Sequence, residues 1–270
     1  MFDLRTKEIN RRNLSFGIFR LYKGALQKFD PRHFGGDSKI LFVLGIQRAG
    51  TSLMYWIFER DRQTRIYRES SELSSQDKVE HVRLNPLPEV KQQLDRHQVP
   101  LIVLKPLVES QRANELLDTF PASKALWQYR HYQDVAASNL KAFGMENGIA
   151  DLRPFLMNDP HNWRSQNSAE ETRAIIREHF SEDMNPYDAA ALFWWARSRL
   201  YFDLRLDRSD KILPCRYEDL ATNPSGTMRR IYAFLGVRYP GDQIVSDVHP
   251  QSVGKGRVSI LSPAIDQLCA

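Results

Sequence analysis

The residues best suited to chemistry stand together at the end of one apolar run, Ile40-Leu41-Phe42-Val43-Leu44-Gly45-Ile46-Gln47-Arg48-Ala49-Gly50-Thr51-Ser52. Gly45 and Gly50, with four residues between them, have the glycine spacing of a phosphate-binding P-loop. Glycines accept backbone angles that other residues resist and let peptide N–H groups come close to an anion. Thr51 stands where a nucleoside triphosphatase has lysine, and Ser52 follows it. The ammonium that would reach the β- and γ-phosphates of ATP is therefore missing, and Arg48 brings positive charge into the loop instead. The pattern disfavours an ordinary kinase or ATPase. It also disfavours bound Mg²⁺, because no acidic metal partner follows a later strand.

Such a loop needs a strand before it and a helix after it. Residues 40–44 read as a central parallel strand covered on both faces. A helix over 51–61, with Leu53, Met54, Ile57 and Phe58 as its buried stripe, aims its N-terminal N–H groups and dipole at the loop. The pattern continues as strand 101–105, helix 109–118, strand 124–129 and helix 132–143. This alternation implies right-handed crossovers and a parallel sheet. The expected architecture is α/β, a P-loop-type three-layer fold with a central, mostly parallel sheet flanked by helices, spanning residues 1–270 as one domain. Residues 144–186 break the alternation with Asn147-Gly148, Asp159-Pro160 and Asn185-Pro186. Ser168 with Glu171 three residues on reads as a capping box opening a helix over 169–180. An insertion this long is expected to be an acceptor-side lid or a subunit contact. A long helix near 187–206 follows, with Trp194 and Trp195 expected in the core. Further on, Asn223 and Pro224 open a helix with Ile231, Phe234 and Leu235 on its apolar face, and Gly236 stops it. Pro214 in the preceding strand implies an edge or a bulge.

The run Gly45 to Ser52 resembles the 5′-phosphosulfate loop of sulfotransferases that use 3′-phosphoadenosine 5′-phosphosulfate (PAPS). Three further segments in the family's order strengthen the resemblance. Residues 124–143 are similar to its 3′-phosphate motif, an arginine at a strand end followed by Asp-Val and a helical serine, here Arg130 and Ser138. Arginine suits a phosphate because its planar fork donates two parallel hydrogen bonds. Asp134 fits a helix N-terminal position better than a ligand contact. Arg216-Tyr217-Glu218-Asp219-Leu220 is similar to a segment whose tyrosine lies near adenine, with an ordinary core tyrosine as the alternative. Ser252-Val253-Gly254-Lys255-Gly256-Arg257 is similar to the C-terminal loop that folds over the nucleotide. There Lys255 and Arg257 would add charge near the 3′-phosphate, and Gly254 and Gly256 would offer N–H groups. The resemblance implies PAPS as sulfuryl donor, adenosine 3′,5′-bisphosphate as product and no metal. It implies that Gln47, Arg48, Ala49, Gly50, Thr51 and Ser52 hold the phosphosulfate.

Sulfuryl transfer to a hydroxyl requires a base and charge stabilisation at the leaving phosphate. Thr64 to Leu73 resembles the carbohydrate, tyrosyl-protein and bacterial branches, where a glutamate in this area is the proposed base. Glu69 is the first choice and Glu72 the second. Lys105, at the end of the 101–105 strand, stands where the family's lysine contacts the sulfonate and the bridging oxygen. Arg48 joins it as a catalytic cation. The small-molecule cytosolic branch has a histidine in the segment after this lysine, and Lys105-Pro106-Leu107 has none. His81, His97 and His131 are unsupported as bases. The alternatives are a P-loop nucleotide kinase and a non-catalytic nucleotide-binding protein that keeps the fold.

Composition sets outer bounds. A chain of 270 residues, 42% hydrophobic and 26% charged, can bury one sizeable core. Its net charge of +5 and pI near 9.2 suit an anionic donor, and could suit an anionic acceptor or a membrane surface. No basic run or zinc-finger pattern points to nucleic acid. Cys215 and Cys269 form neither a disulfide framework nor a metal spacing, which points to a reducing, cytoplasmic setting. No apolar stretch approaches membrane-spanning length. The basic, aromatic-dotted lead-in 1–38 is expected to pack as a helix, with peripheral membrane contact as the alternative. A small-molecule, carbohydrate or lipid acceptor and the oligomeric state stay open.

Overall fold

The computed structural model describes residues 19, 21–25, 27, 38–77, 81–157, 159, 161–257 and 261–270. The chain runs β1 (Lys39–Gly45), α1 (Thr51–Glu59), β2 (Thr64–Tyr67), a hairpin of β3 (Ser74–Asp77) and β4 (His81–Leu84), α2 (Leu87–Leu94) and β5 (Leu101–Leu104). A 3₁₀ stretch (Leu107–Arg112) then leads into α3 (Ala113–Thr119), β6 (Lys124–Tyr129), α4 (Tyr132–Phe143), α5 (Asn147–Met157), α6 (Glu170–His179) and α7 (Pro186–Asp203). The last elements are β7 (Ile212–Arg216), α8 (Tyr217–Thr222), α9 (Pro224–Leu235) and α10 (Pro263–Cys269).

Five strands form one parallel sheet in the order β2-β5-β1-β6-β7, and β3 pairs antiparallel with β4 alone. Strand alternation sends Leu41 and Val43 of β1 into one buried cluster with Met54 and Phe58 of α1. Phe42 and Leu44 point into the other cluster, with Leu116, Leu117 and Trp127. Both faces are therefore covered, as the unbroken apolar run of β1 requires. Pro214 is tolerated because β7 is an edge strand. Asn223 accepts from Gly226 N at 3.1 Å and caps α9, which Gly236 ends at φ 64°. Neighbours of β1 lie on both sides in the sheet, so a crevice opens beyond its carboxyl end, where α/β folds bind ligands. Gly45, Lys105 and Arg130 all lie at strand ends on that edge.

Several elements differ from expectation, most where a residue finds a partner distant in sequence. The helix over 51–61 stops at Glu59, and buried Asp61 instead accepts from Tyr232 Oη at 2.6 Å and Gln63 N at 2.9 Å. The helix over 109–118 begins as the 3₁₀ stretch, because Glu109 is turned inward and fully buried. It accepts from Arg83 Nε at 2.7 Å, Leu84 N at 3.0 Å and Arg112 Nη1 at 2.9 Å, which pins the β3–β4 hairpin over the sheet edge. Ser168 does not form a capping box. Its Oγ donates to Ser165 O at 2.6 Å, Ala169 is the N-cap, and Asp203 of α7 accepts from Ala169 N at 3.3 Å and Thr172 Oγ1 at 2.9 Å. The long helix ends at Asp203, not 206.

Residues 147–179 add α5 and α6 to a helical layer with α4, α7 and α10, centred on Leu152, Phe155, Trp163, Ile176 and Phe193. Most of the lead-in lies outside the described residues. Residues 21–25 are helical, and buried Lys23 donates to Glu59 O at 2.9 Å and Thr64 Oγ1 at 3.0 Å. Among the described residues no helix is long and apolar enough to cross a membrane.

Candidate active site

The glycine turn is shaped by close approaches. Gly45 has φ 120°, and a Cβ there would lie 2.1 Å from the carbonyl oxygen of its neighbour Gln128, so only glycine fits. Ser110 Oγ accepts from Gly45 N at 3.0 Å and donates to Gly45 O at 3.1 Å, locking the turn. Gly50, at φ 92°, is the N-cap of α1, and a Cβ there would stand 2.2 Å from Tyr217 Cδ2. Arg48 adopts a left-handed φ of 64°, unusual for a side-chain-bearing residue, and so turns towards α4. There its Nε donates to Ser138 Oγ at 3.1 Å.

Arg130 follows β6 and is buried. Its guanidinium lies 4.4 Å from the centre of the Tyr217 ring and 3.6 Å from Asp134 Oδ2, and donates through Nη2 to Ser252 O. Trp194 Nε1 donates to Arg130 O at 3.0 Å, which fixes the backbone. Among the described residues the buried Arg130 Nε–H has no acceptor. Tyr217 Oη and Ser252 Oγ share a 2.7 Å hydrogen bond, so ring, guanidinium and loop form one packed unit. Burial, and then the Arg130 charge, hold the Arg48 guanidinium below its ordinary value. Arg48 and Arg130 line the same cavity, and the one carboxylate near Arg130, Asp134, does not, so the wall they form seeks an anion.

These groups line a cavity of about 620 Å³. Gln47, Thr51 and Ser52, around the N-terminus of α1, line it too, as do Glu69 and Lys105. Lys105 Nζ lies 3.3 Å from Glu69 Oε1, with the lysine side chain mostly buried and the glutamate about one-third exposed. Lys105 is placed by its backbone N–H, which donates to Tyr67 O at 3.0 Å just past β5. The arrangement puts a paired carboxylate and ammonium in the same cavity as two guanidiniums. Such a site can take a proton from a hydroxyl and balance charge on an oxyanion.

A sulfotransferase domain model matches residues 38–255. The chain belongs to the sulfotransferase family. Among solved structures, the sulfotransferase domain from the Synechococcus PCC 7002 olefin synthase is 17% identical, with 87% of this chain and 96% of that one covered and a TM-score of 0.50. The sulfotransferase domain from the curacin biosynthetic pathway is also 17% identical, with 81% and 84% covered and a TM-score of 0.46. No curated protein matches the chain.

Within this sulfotransferase fold, Gln47, Arg48, Gly50, Thr51, Ser52, Glu69, Lys105, Arg130, Ser138 and Tyr217 all line one cavity. Ala49 sits behind it, packed with Ile46 and Val135. Arg48 and Ser138, read in sequence as parts of two separate phosphate sites, are hydrogen-bonded to each other. The C-terminal loop differs more. Gly254 N and Gly256 N donate to Asp134 Oδ2 at 2.8 Å and Oδ1 at 2.7 Å, so those N–H groups are taken by the protein itself. Asp134 is a clamp for this loop. Lys255 and Arg257 are exposed and off the cavity wall, and of this loop only Ser252 reaches it. Glu72 pairs with Arg65 at 3.8 Å on the surface, away from the cavity. The His81 side chain lies outside the described residues. His97 is bonded to Tyr67 Oη, and neither it nor His131 lines the cavity.

Sequence reasoning missed Phe143, Asn147, Asp151, Trp163 and Arg164, which also line the cavity. Asn147 and Asp151 are spaced one helical turn apart on α5, a pattern that could have marked them. Trp163 and Arg164 lie in an irregular loop, where no spacing rule applies.

Proposed function

We propose that the chain transfers a sulfuryl group from PAPS to an acceptor hydroxyl. The observation that carries this reading is the Glu69–Lys105 pair, 3.3 Å apart, in the same cavity as Arg48 and Arg130. The cavity fits the donor's chemistry. Among the described residues Arg130 Nε–H is a buried donor without a partner, and Gly50, lacking a Cβ, lets the turn pack directly against Tyr217 on the cavity wall. Arg130, Ser138 and Arg48 would hold the 3′-phosphate side, and the turn with Thr51 and Ser52 the phosphosulfate side. PAPS, when bound, supplies the sulfuryl group on a good leaving phosphate.

Glu69 accepts the hydroxyl proton as the acceptor oxygen bonds to sulfur. Lys105 balances the negative charge that collects on the phosphate as the bridging S–O bond breaks, which yields adenosine 3′,5′-bisphosphate. Positioned base catalysis contributes roughly 10²–10⁴-fold. Residues 144–186 cover the acceptor side and set acceptor choice by shape.

The test is transfer of label from ³⁵S-PAPS to a panel of phenols, sugars and glycolipids in chelator-containing buffer. Glu69→Gln is expected to lower kcat at least about 100-fold while bisphosphate binding persists. Full activity in Glu69→Gln would remove the proposed base. A phosphoryl product formed from ATP and Mg²⁺ would favour the kinase instead.

A further inference from the structure

The insertion builds a cationic corner in the cavity wall. Arg164 Nε donates to Asp151 Oδ1 at 2.5 Å and Asn147 Nδ2 donates to Asp151 Oδ2 at 2.7 Å, so both oxygens of this buried carboxylate are taken. Arg164 lines the cavity and makes no other hydrogen bond through its guanidinium among the described residues. Behind it Arg197 is 3% exposed and spends its donors on neutral oxygens: Trp163 O at 2.9 Å, Arg164 O at 3.3 Å and Gln111 Oε1 at 3.2 Å. Among the described residues no carboxylate lies within ion-pair distance of Arg197. Both guanidiniums lie over the Trp163 ring, at 4.6 Å and 5.2 Å from its centre. Trp163 Nε1–H is itself buried and has no acceptor among the described residues.

The charge does not balance. Two guanidiniums face one carboxylate in a region largely shut off from water, and an uncompensated buried charge is costly. Burial and the Arg164 charge accordingly pull the Arg197 guanidinium down to about 9. The loop that carries Arg164 is held by hydrogen bonds. Ser165 N and Gln166 N donate to Asn162 O, Ser165 Oγ donates to Asp159 O, and Asn167 Nδ2 donates to Gln111 O. Gln111 belongs to the 3₁₀ stretch that follows Lys105, so the corner is built off the reaction centre's own element.

We propose, resting on the sulfotransferase reading, that the acceptor carries a carboxylate as well as the hydroxyl that is sulfated, and that Arg164 grips that carboxylate with Trp163 Nε1–H on the same wall. One surplus charge calls for a monoanion, and the planar fork of arginine matches a carboxylate. Val82 and Val108 add apolar surface to the same cavity and suit an acceptor with an apolar or aromatic body. Arg164 is a specificity residue here. It touches the acceptor and not the reacting atoms.

Matched probes test this: 4-hydroxyphenylacetate against 4-hydroxyphenylacetamide, and 4-nitrophenyl glucuronide against 4-nitrophenyl glucoside. Each is titrated into the complex with adenosine 3′,5′-bisphosphate and assayed with PAPS. The carboxylate member of at least one pair is expected to bind, and to turn over, about 10- to 100-fold better. In Arg164→Gln that ratio falls towards one through KM with bisphosphate affinity holding, which also shows that the variant is folded; the melting temperature falls because buried Asp151 loses its ion pair. Trp163→Phe, which keeps the stacked ring, gives part of the loss. Equal affinity within both pairs, or no binding of either carboxylate, overturns the inference while bisphosphate binding leaves the donor reading standing. Weaker bisphosphate binding in Arg164→Gln also overturns it, because the corner would then serve the nucleotide. A wild-type protein that binds no bisphosphate fails at the donor reading instead.

Discussion

Replacing Gly50 by alanine tests whether the turn, Tyr217 and Arg130 form one packed unit. The new Cβ would lie 2.2 Å from Tyr217 Cδ2 and 2.8 Å from Cε2. The ring cannot easily yield, because Arg130 packs on it at 4.4 Å and its hydroxyl is bonded to Ser252 Oγ. The left-handed backbone at φ 92° costs alanine about 1–2 kcal/mol. Displacing the ring gives up the Ser252 hydrogen bond, worth about 1 kcal/mol, and the cation–ring contact, worth about 0.5–2 kcal/mol. Together the loss is about 2.5–5 kcal/mol, a fall in Tm of roughly 10 °C for a chain of this size. In a Tyr217→Ala background the clash is gone, and Gly50→Ala should cost only the backbone strain, about 1–2 kcal/mol. Urea denaturation of the four proteins in the cycle measures both costs. If Gly50→Ala costs the same in both backgrounds, the contact between turn and ring does not exist in solution and the shape of the site is wrong.

Two further outcomes follow from the packing. Asp203→Ala should destabilise by about 1 kcal/mol, as loss of an N-terminal cap does, because Asp203 holds the start of α6; a larger cost for Ser168→Ala in the same denaturation assay would restore the local capping box. Burial first, and then the Arg65 charge, lower the pKa of His97, while burial and Arg257 lower that of His131. The unfolded chain therefore binds more protons below the ordinary histidine value of about 6.5, and stability is lost as pH falls through that value towards the lowered folded ones. Denaturation midpoints between pH 7.5 and 5.5 should decline, and His97→Gln should flatten the slope; an unchanged slope would contradict the burial of that ring.

The parts legible in sequence were those governed by local rules. The apolar run of β1, the glycine spacing after it and the Asn223-Pro224 start of α9 each depend on a few adjacent residues, and each stands where expected. Local rules misled where a distant partner won. Ser168 and Glu171 satisfy a capping box, yet Asp203 from α7 takes the α6 terminus. Gly254 and Gly256 read as open phosphate donors, yet Asp134, more than 100 residues earlier in the chain, claims both N–H groups. Helix α5 was hidden by Asn147-Gly148 at its start and Pro154 inside it, both ordinary loop markers. The cationic corner was out of reach because Arg164 lies in a loop and Arg197 in a helix, and only the tertiary fold brings both guanidiniums to the Trp163 ring. Family resemblance brought Glu69 and Lys105 forward separately; that they face each other depends on β2 and β5 being neighbours.

The central claim is that the cavity holds an adenine nucleotide with phosphate at both ends, through arginine and without metal. Titration calorimetry with adenosine 3′,5′-bisphosphate in chelator-treated buffer tests it most directly, with Arg130→Ala alongside. The account predicts saturable binding to the wild-type protein and loss of about 10- to 100-fold in affinity for the variant, the range for a hydrogen-bonded charged group. Folded protein that gives no binding heat, or an Arg130→Ala variant that binds as tightly as wild type, would contradict it.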